Sequence, residues 1–258
     1  MAPRYHFGWA YQHTARPIVA MGKDYASGQH VPKHSHRRAQ LVFSVSGVMT
    51  VSSEDGRWTV PATRAIWVPA KVQHSIEMAG AVQMRTVYFE PREVPALPKS
   101  CAVVNVTPLL RELILEAVKV GTDYPASGRD ARLMRLIVDE IRTLRQLPLQ
   151  LQFPSDARAL RVARRVLAEP ENPMSVEEWA RVAGVSSRTL ARLFAAELGI
   201  SFGRWCQQAR LQQSLSMLAG GESVITVALS LGYESPSAFA YAFRKYFGTS
   251  PSGYFKVG

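Results

Sequence analysis

Six histidines fall within the first 74 residues, at positions 6, 13, 30, 34, 36 and 74, and none follows. His34 and His36 are two apart. On a strand, where side chains alternate between faces, that spacing sets both imidazoles on one side. Imidazole nitrogens suit zinc, nickel, copper or iron, so a metal site is one chemistry open to this pair. His30, just upstream, is a further candidate ligand. His6 and His13 sit among Tyr5, Phe7, Trp9 and Tyr11, and that aromatic cluster reads as a lid or arm. A second group lies far downstream. Arg188, Thr189, Ala191 and Arg192 stand near the start of a helical pattern, facing away from its apolar residues. An arginine there can read a guanine edge or hold a phosphate. Ser237, Ala240, Tyr241 and Arg244 take the matching places in a second, less basic pattern.

The elements that must hold these downstream residues are written twice. Ala180 and Gly184 recur as Ala228 and Gly232, an offset of 48; Phe194, Gly199 and Ser201 recur as Phe243, Gly248 and Ser250, an offset of 49. The second copy therefore has one extra residue in its middle. A small residue where two helices cross, a glycine four on for the turn, then an apolar residue is the pattern of a helix-turn-helix. Ser175 is placed to cap the first helix, with Glu177 and Glu178 favouring its positive end. Ser186 or Ser187 caps the next, which runs to about Leu198, with Leu190, Leu193 and Phe194 inward. In the second copy Ser235 caps a helix with Pro236 at its first position, and Phe239 and Phe243 are core. Arg204 to Leu218 reads as one connecting helix of roughly 22 Å. With the width of the flanking bundles added, the two recognition helices sit about one DNA turn apart, near 34 Å. The extra residue falls in the turn and at the start of the second recognition helix.

Upstream, residues 17–90 read as strands with turns: Leu41–Val45, Val48–Ser52, Arg57–Val60, Ala65–Val68 and Met84–Phe89. The period then turns helical. Leu109, Leu110, Leu113, Ile114, Ala117 and Val118 form one stripe, and Leu133, Leu136, Ile137, Ile141 and Leu144 another. The loop 121–128 joins them into a helical hairpin that packs on the barrel, on a second copy of the chain, or on both. Residues 148–155 read as a linker stiffened by two prolines, after which Ser155 caps a helix to Ala168. The fold class is thus α+β: a β-barrel with a helical hairpin over 1–150, then an all-α domain with two helix-turn-helix motifs over 155–258.

Composition agrees with a folded, DNA-facing protein. Hydrophobic content is 47%, and no apolar run nears the roughly 18 residues of a membrane span. Met1–Ala20 has no signal-peptide core. The two cysteines, Cys101 and Cys206, are too few for a disulfide framework and fit a reducing cytoplasm. The formal net charge is +11, which suits a polyanionic partner. Only +4 of it belongs to residues 155–258 and +7 to residues 1–154, so charge alone does not locate the DNA-binding surface.

At this point a resemblance becomes specific. The run Leu231-Gly232-Tyr233-Glu234-Ser235, then Phe239, Phe243, Phe247-Gly248-Thr249-Ser250-Pro251 and Tyr254, is highly similar to the signature that closes the AraC/XylS family of bacterial transcription regulators. The resemblance covers about residues 155–258. It implies sequence-specific binding of double-stranded DNA, a cytoplasmic location and no enzymatic activity, with RNA polymerase and a second copy of the chain as further partners. In the first half, Gly28, His34, His36, Gln40 and Gly47, followed by Pro69 and His74, resemble the two cupin motifs over about residues 17–90. That resemblance implies a barrel whose first motif gives two histidines and a carboxylate, and whose second gives one histidine, to a divalent metal (Zn, Ni or Fe). His34, His36, His74 and Gln40 take those places. Two departures matter: Gln40 stands where the carboxylate belongs, and Lys71 where the second motif has glycine. Three histidines with an open fourth position still suit zinc. The same residues also fit a metal-free pocket for a small-molecule effector, or plain packing. The competing reading from another class is a metal-dependent cupin enzyme, and a third is an architectural DNA-binding protein without an effector.

Overall fold

A computed structural model of the chain describes residues 9–62, 64–144, 146–147 and 149–254. Tyr5, His6, Phe7, the side chain of Trp9, and Pro148 of the expected linker lie outside the described residues. Contacts divide the chain into two compact units, Met1–Glu54 with Val60–Gln150, and Leu151–Gly258 with the short segment Asp55–Thr59.

Along the chain, helix α1 (Trp9–Gln12) precedes eight strands: β1 (Ile18–Tyr25), β2 (His30–His34), β3 (Ala39–Ser44), β4 (Val48–Ser53), β5 (Gly56–Pro61), β6 (Arg64–Val68), β7 (His74–Ala79) and β8 (Val82–Phe89). Then come β9 (Ala102–Asn105), the helices α2 (Pro108–Val120) and α3 (Arg129–Arg142), and two short strands, β10 (Gln146–Leu147) and β11 (Gln150–Gln152). One sheet runs β1-β8-β3-β6-β9-β10 and the other β11-β5-β4-β7-β2. The strand-rich first half is therefore as expected, with β9 an addition beyond residue 90.

All six residues of β3 are buried, because both faces of its sheet are covered. In register, Gln40 lies between Val68 and Tyr88, and Val42 between Ile66 and Thr86. This face points inward, since Gln40 meets His74 of the other sheet. The opposite face of the sheet carries Leu41, Trp67 and Gly22. A Cβ added to Gly22 would stand 2.9 Å from Val118 of α2, so that helix lies directly on the sheet. The hairpin is thus spent largely on its own barrel: Leu110, Ile114 and Ala117 of α2 are buried, as are Met134, Ile137 and Ile141 of α3. Leu109 and Leu136, expected in the same stripes, face outward at 50% and 41% exposure. The Thr107 hydroxyl caps α2 and also reaches Glu140 of α3 at 3.1 Å.

The second unit is helical: α4 (Ala157–Ala168), α5 (Val176–Ala183), α6 (Ser187–Leu198), α7 (Phe202–Ala219), α8 (Val224–Ser230) and α9 (Pro236–Phe247). One expected cap is displaced. Asp156, not Ser155, caps α4 by accepting from the Arg158 and Ala159 backbone N–H groups. A carboxylate offers two acceptor oxygens to a helix start where a hydroxyl offers one. Ser155 instead donates its hydroxyl to Glu197 at 2.7 Å. Part of the expected linker is also ordered as β11.

Two apolar cores hold this unit. The first gathers Trp179, Ala180, Leu190, Phe194, Phe202 and Trp205; the second gathers Leu211, Leu215, Val227, Ala228, Phe239 and Phe243. Helix α7 belongs to both.

Gly47 and Gly184 both adopt the left-handed backbone, with φ of 73° and 71°. They differ in space. A Cβ at Gly47 would lie 2.8 Å from the Ala81 carbonyl oxygen and 2.8 Å from Val82 Cγ2, whereas one at Gly184 meets nothing within 4 Å. Gly184→Ala is expected to cost about 1 kcal/mol, the left-handed penalty alone. Gly47→Ala is expected to cost about 3 kcal/mol or more, because overpacking adds to it. Urea unfolding of both variants measures the difference, and equal losses would refute it.

Candidate functional site

The structure brings three of the six histidines together. His34 ends β2 and His74 begins β7, and the two are register partners. The expectation that His34 and His36 share a strand holds only in part. β2 stops at His34 after an irregularity in pairing with β7, and His36 lies in the turn beyond. Their rings converge all the same. The candidate ligand atoms of His34, His36 and His74 lie within 4.8 Å of one another. His30 is exposed at the start of β2 opposite Glu77, and His13 is exposed; neither belongs to the cluster.

Hydrogen bonds outside the cluster orient two of the rings. His34 Nδ1 lies 2.7 Å from the Pro32 carbonyl and His74 Nδ1 lies 2.9 Å from that of Val72. A carbonyl only accepts, so each Nδ1 carries a proton and each Nε2 turns a lone pair inward. This is the arrangement by which a protein prepares a metal-binding histidine. The inward atoms are close: His34 Nε2 to His36 Nε2 is 3.1 Å, and Gln40 Nε2 to His74 Nε2 is 2.7 Å. Gln40 is buried and donates its amide to His74 here. As a metal ligand it would have to present its carbonyl oxygen instead. Tyr88 closes the inner side, its ring edge-on to His36 at 5.3 Å and stacked with Tyr11 at 6.1 Å.

Burial holds all three imidazoles neutral. It lowers His34 below its ordinary value, takes His74 down to about 4, and with the neighbouring rings takes His36 to about 3. Neutral imidazoles, two of them with inward lone pairs, fit a divalent cation. No carboxylate belongs to the cluster among the described residues.

Lys71 has φ of 68° and is the one non-glycine in the left-handed region among the described residues. This accounts for the glycine that the cupin motif has here. The turn aims the Lys71 N–H at the His36 carbonyl, 2.7 Å away, and so braces the segment that carries His36.

The second candidate surface is built by the paired helix-turn-helix units. Ser175 and Glu178 form a reciprocal capping box on α5. The turn then closes with Val185 N–H on the Ala180 carbonyl and Gly184 N–H on that of Arg181; Tyr233 and Gly232 repeat the pair on Ala228 and Leu229. Ser186 caps α6 and Ser235 caps α9. One residue separates Gly184 from Ser186, while two separate Gly232 from Ser235. The extra residue of the second copy therefore lies in the turn, as the change of offset indicates.

Arg188, Ala191 and Arg192 are exposed on α6, and Thr189 is half-buried with its hydroxyl 3.0 Å from that of Ser186. On α9, Ser237, Tyr241 and Arg244 are exposed and Ala240 is half-buried. A groove of about 700 Å³ also runs between α7 and α9, with Arg204 and Gln208 on one wall and Tyr241 and Lys245 on the other. Arg204 and Lys245 were not singled out in the sequence. They are 41 residues apart, and no local pattern pairs them.

The depressed imidazoles predict a pH dependence of stability. The unfolded chain takes up protons on His36 and His74 below about pH 6.5, while in the folded chain these two resist until about pH 4 or lower. Their stabilising effect is therefore complete above pH 6.5 and is lost as the pH falls through the folded values. The melting temperature of the metal-free chain is expected to fall between pH 6.5 and 4, and to fall less steeply in His36→Phe. Parallel slopes for the two proteins would show that His36 is not responsible.

An AraC-like ligand binding domain model matches residues 17–164, and a helix-turn-helix domain model matches residues 179–256. The HTH-type transcriptional regulator NimR of Escherichia coli K12 is 33% identical over 223 residues, covering 86% of this chain and 81% of NimR. The regulator RipA of Corynebacterium glutamicum is 29% identical over 222 residues, covering 83% of this chain and 61% of RipA. Among solved structures, unsaturated fatty acid bound ToxT of Vibrio cholerae is similar at 12% identity and a TM-score of 0.39, covering 94% of this chain and 96% of that one. The chain belongs to the AraC family, as a helix-turn-helix DNA-binding transcriptional regulator with an N-terminal ligand-binding domain.

Proposed function

We propose that the first helix-turn-helix reads bases and the second mainly positions the protein on the DNA backbone. The observation that carries this reading is the pair of exposed arginines, Arg188 and Arg192, on α6 with no carboxylate paired to either among the described residues. A recognition helix presents its N-terminal part to base edges. Thr189 and Ala191 complete that surface. Ser237, Ala240, Tyr241 and Arg244 form the second, and Arg204 with Lys245 in the adjoining groove supply charge for phosphates.

The DNA upstream of the chain's own gene is the probe for a gel shift. Arg188→Ala and Arg192→Ala are each expected to weaken binding there by about tenfold or more, with little change on unrelated DNA. Arg204→Ala and Lys245→Ala are expected to weaken both DNAs alike and flatten the salt dependence. Unchanged binding in both α6 variants would remove this surface from the reading.

In the sensing half, the proposed cofactor is a divalent metal (Zn, Ni or Fe) held by His34, His36 and His74. Gln40 is the fourth residue at the site. The inward lone pairs and neutral rings support this. The cluster offers no carboxylate for acid–base chemistry, which favours a sensor over a cupin enzyme. The metal or a small-molecule effector acts by favouring one of two states of the regulator. Purified chain is expected to retain about one equivalent of metal, and His34→Ala with His74→Ala almost none. A metal-free wild type whose regulation survives the double substitution would discard the metal. The proposed location is the cytoplasm. No helix among the described residues is long and apolar enough to cross a membrane. Leu109 and Leu136, exposed on the hairpin, support a second copy of the chain as partner. Ile225 and Leu229, about 60% exposed on α8, support a contact with RNA polymerase.

A further inference from the structure

Two residues beyond His36 and just before β3, the chain carries a buried cation with unused hydrogen-bond donors. The Arg38 side chain is 0% exposed. Its Nη2 donates to the Thr14 carbonyl at 2.8 Å and lies 3.0 Å from Glu90 Oε1. Its Nε and Nη1 are buried and have no partner among the described residues. Gln12 of α1 is in the same condition. Its Oε1 accepts from the Arg38 backbone N–H at 3.1 Å, while its Nε2 is buried and unpartnered. Buried N–H groups in folded proteins almost always have partners. Here the orphans of both side chains are donors, and no unpaired acceptor sits on either residue.

The charges are unbalanced in the same sense. Arg37 Nη2 also binds Glu90 Oε1, at 2.5 Å, so two guanidiniums share one carboxylate. The group carries one positive charge in excess. Its complement accepts hydrogen bonds only and carries one negative charge. An amine or a hydrocarbon fails on the first count. A bound water meets the donors but not the charge, and a phosphate monoester carries closer to two charges than one at neutral pH.

We propose that Arg38 and Gln12 form an oxyanion subsite that takes the carboxylate of a small organic acid. The proposal rests on the reading of this unit as an effector-binding domain, and it names the effector's chemical class. The subsite lies where the chain enters β3, since Arg38 immediately precedes that strand. Gln40, two residues further along the strand and roughly 7 Å away, touches His74. Because Gln12 belongs to α1, a bound carboxylate bridges that helix to the start of β3. Arg38 is the residue that selects an acid over its neutral analogue.

Isothermal titration of the full chain with sodium acetate and sodium benzoate tests this, with acetamide and benzamide as neutral matches and inorganic phosphate as a second oxyanion. A carboxylate is expected to bind at millimolar concentration or better, and its amide not. Arg38→Met is expected to weaken carboxylate binding at least tenfold. That change keeps much of the side-chain volume and leaves Glu90 paired with Arg37, so the fold is expected to survive. Gln12→Leu is expected to weaken binding by a smaller factor. Glu90→Gln, which leaves both guanidiniums uncompensated, is expected to tighten it severalfold; a purely structural Arg38 would give no such gain. Equal carboxylate affinity in wild type and Arg38→Met, binding of phosphate alone, or no binding of either acid would overturn the subsite. Gel shifts separate this from the broader reading. Carboxylate binding that depends on Arg38 but leaves DNA affinity unmoved keeps the subsite and removes its effector role. DNA binding that responds to a neutral compound, with no carboxylate bound, removes the subsite and keeps the sensor.

Discussion

Helix α7 is the constraint on which the DNA-reading half depends. Trp205 and Ala209 face the first core, and Leu211 and Leu215 face the second. Leu211 follows Ala209 by two residues, which turns it about 200° around the helix. One helix therefore presents two apolar stripes on different sides, one to each helix-turn-helix. The spacing between the recognition helices is set by a single rigid element rather than by a flexible linker. The serine caps at 175, 186, 201, 223 and 235 then fix where each helix begins.

The sensing half answers to a different constraint. β3 is buried on both faces, apolar outward toward the hairpin and mixed inward. The polar groups on the inner face, Gln40 and Tyr88, together with His74 from the opposite sheet, are removed from water. Groups buried this way must find partners. His34 and His74 find carbonyls for their Nδ1 atoms and keep Nε2 for the centre. Arg38 finds Glu90 and Thr14 and is left with donors to spare. Both features follow from burying polar side chains where apolar ones would be more stable.

Much of this was legible in the chain itself. The doubled pattern and its change of offset located both helix-turn-helix units and put the extra residue in the turn or the start of the second recognition helix; the caps narrow it to the turn. The closing run of aromatics marked a core: Phe239, Phe243, Phe247 and Tyr254 form a chain of ring contacts with centroids 4.5–5.6 Å apart. Such residues are readable because their burial is local, set by helical period and cap. The cap of α4 was misplaced by one residue because Ser155 and Asp156 are both good caps, and only the position of Glu197 decides between them. The strand β9 carried no signal that separated it from a loop.

By itself, the sequence determined the α+β class, the tandem DNA-reading units, the outward arginines and the three histidines that belong together. The first three depend on period, spacing and residue type, and the histidine set on the resemblance to the cupin motifs. Tertiary structure alone decided the rest: that His36 reaches the cluster from a turn, that Lys71 braces that turn in a backbone geometry glycine prefers, that Arg204 faces Lys245, and that Arg38 and Gln12 are buried with donors unspent. Each of these is a relation between residues distant in sequence, or a backbone angle fixed by neighbours across a sheet. No local pattern encodes it, because the energy that selects it comes from burial and hydrogen bonding that exist only once the chain has folded.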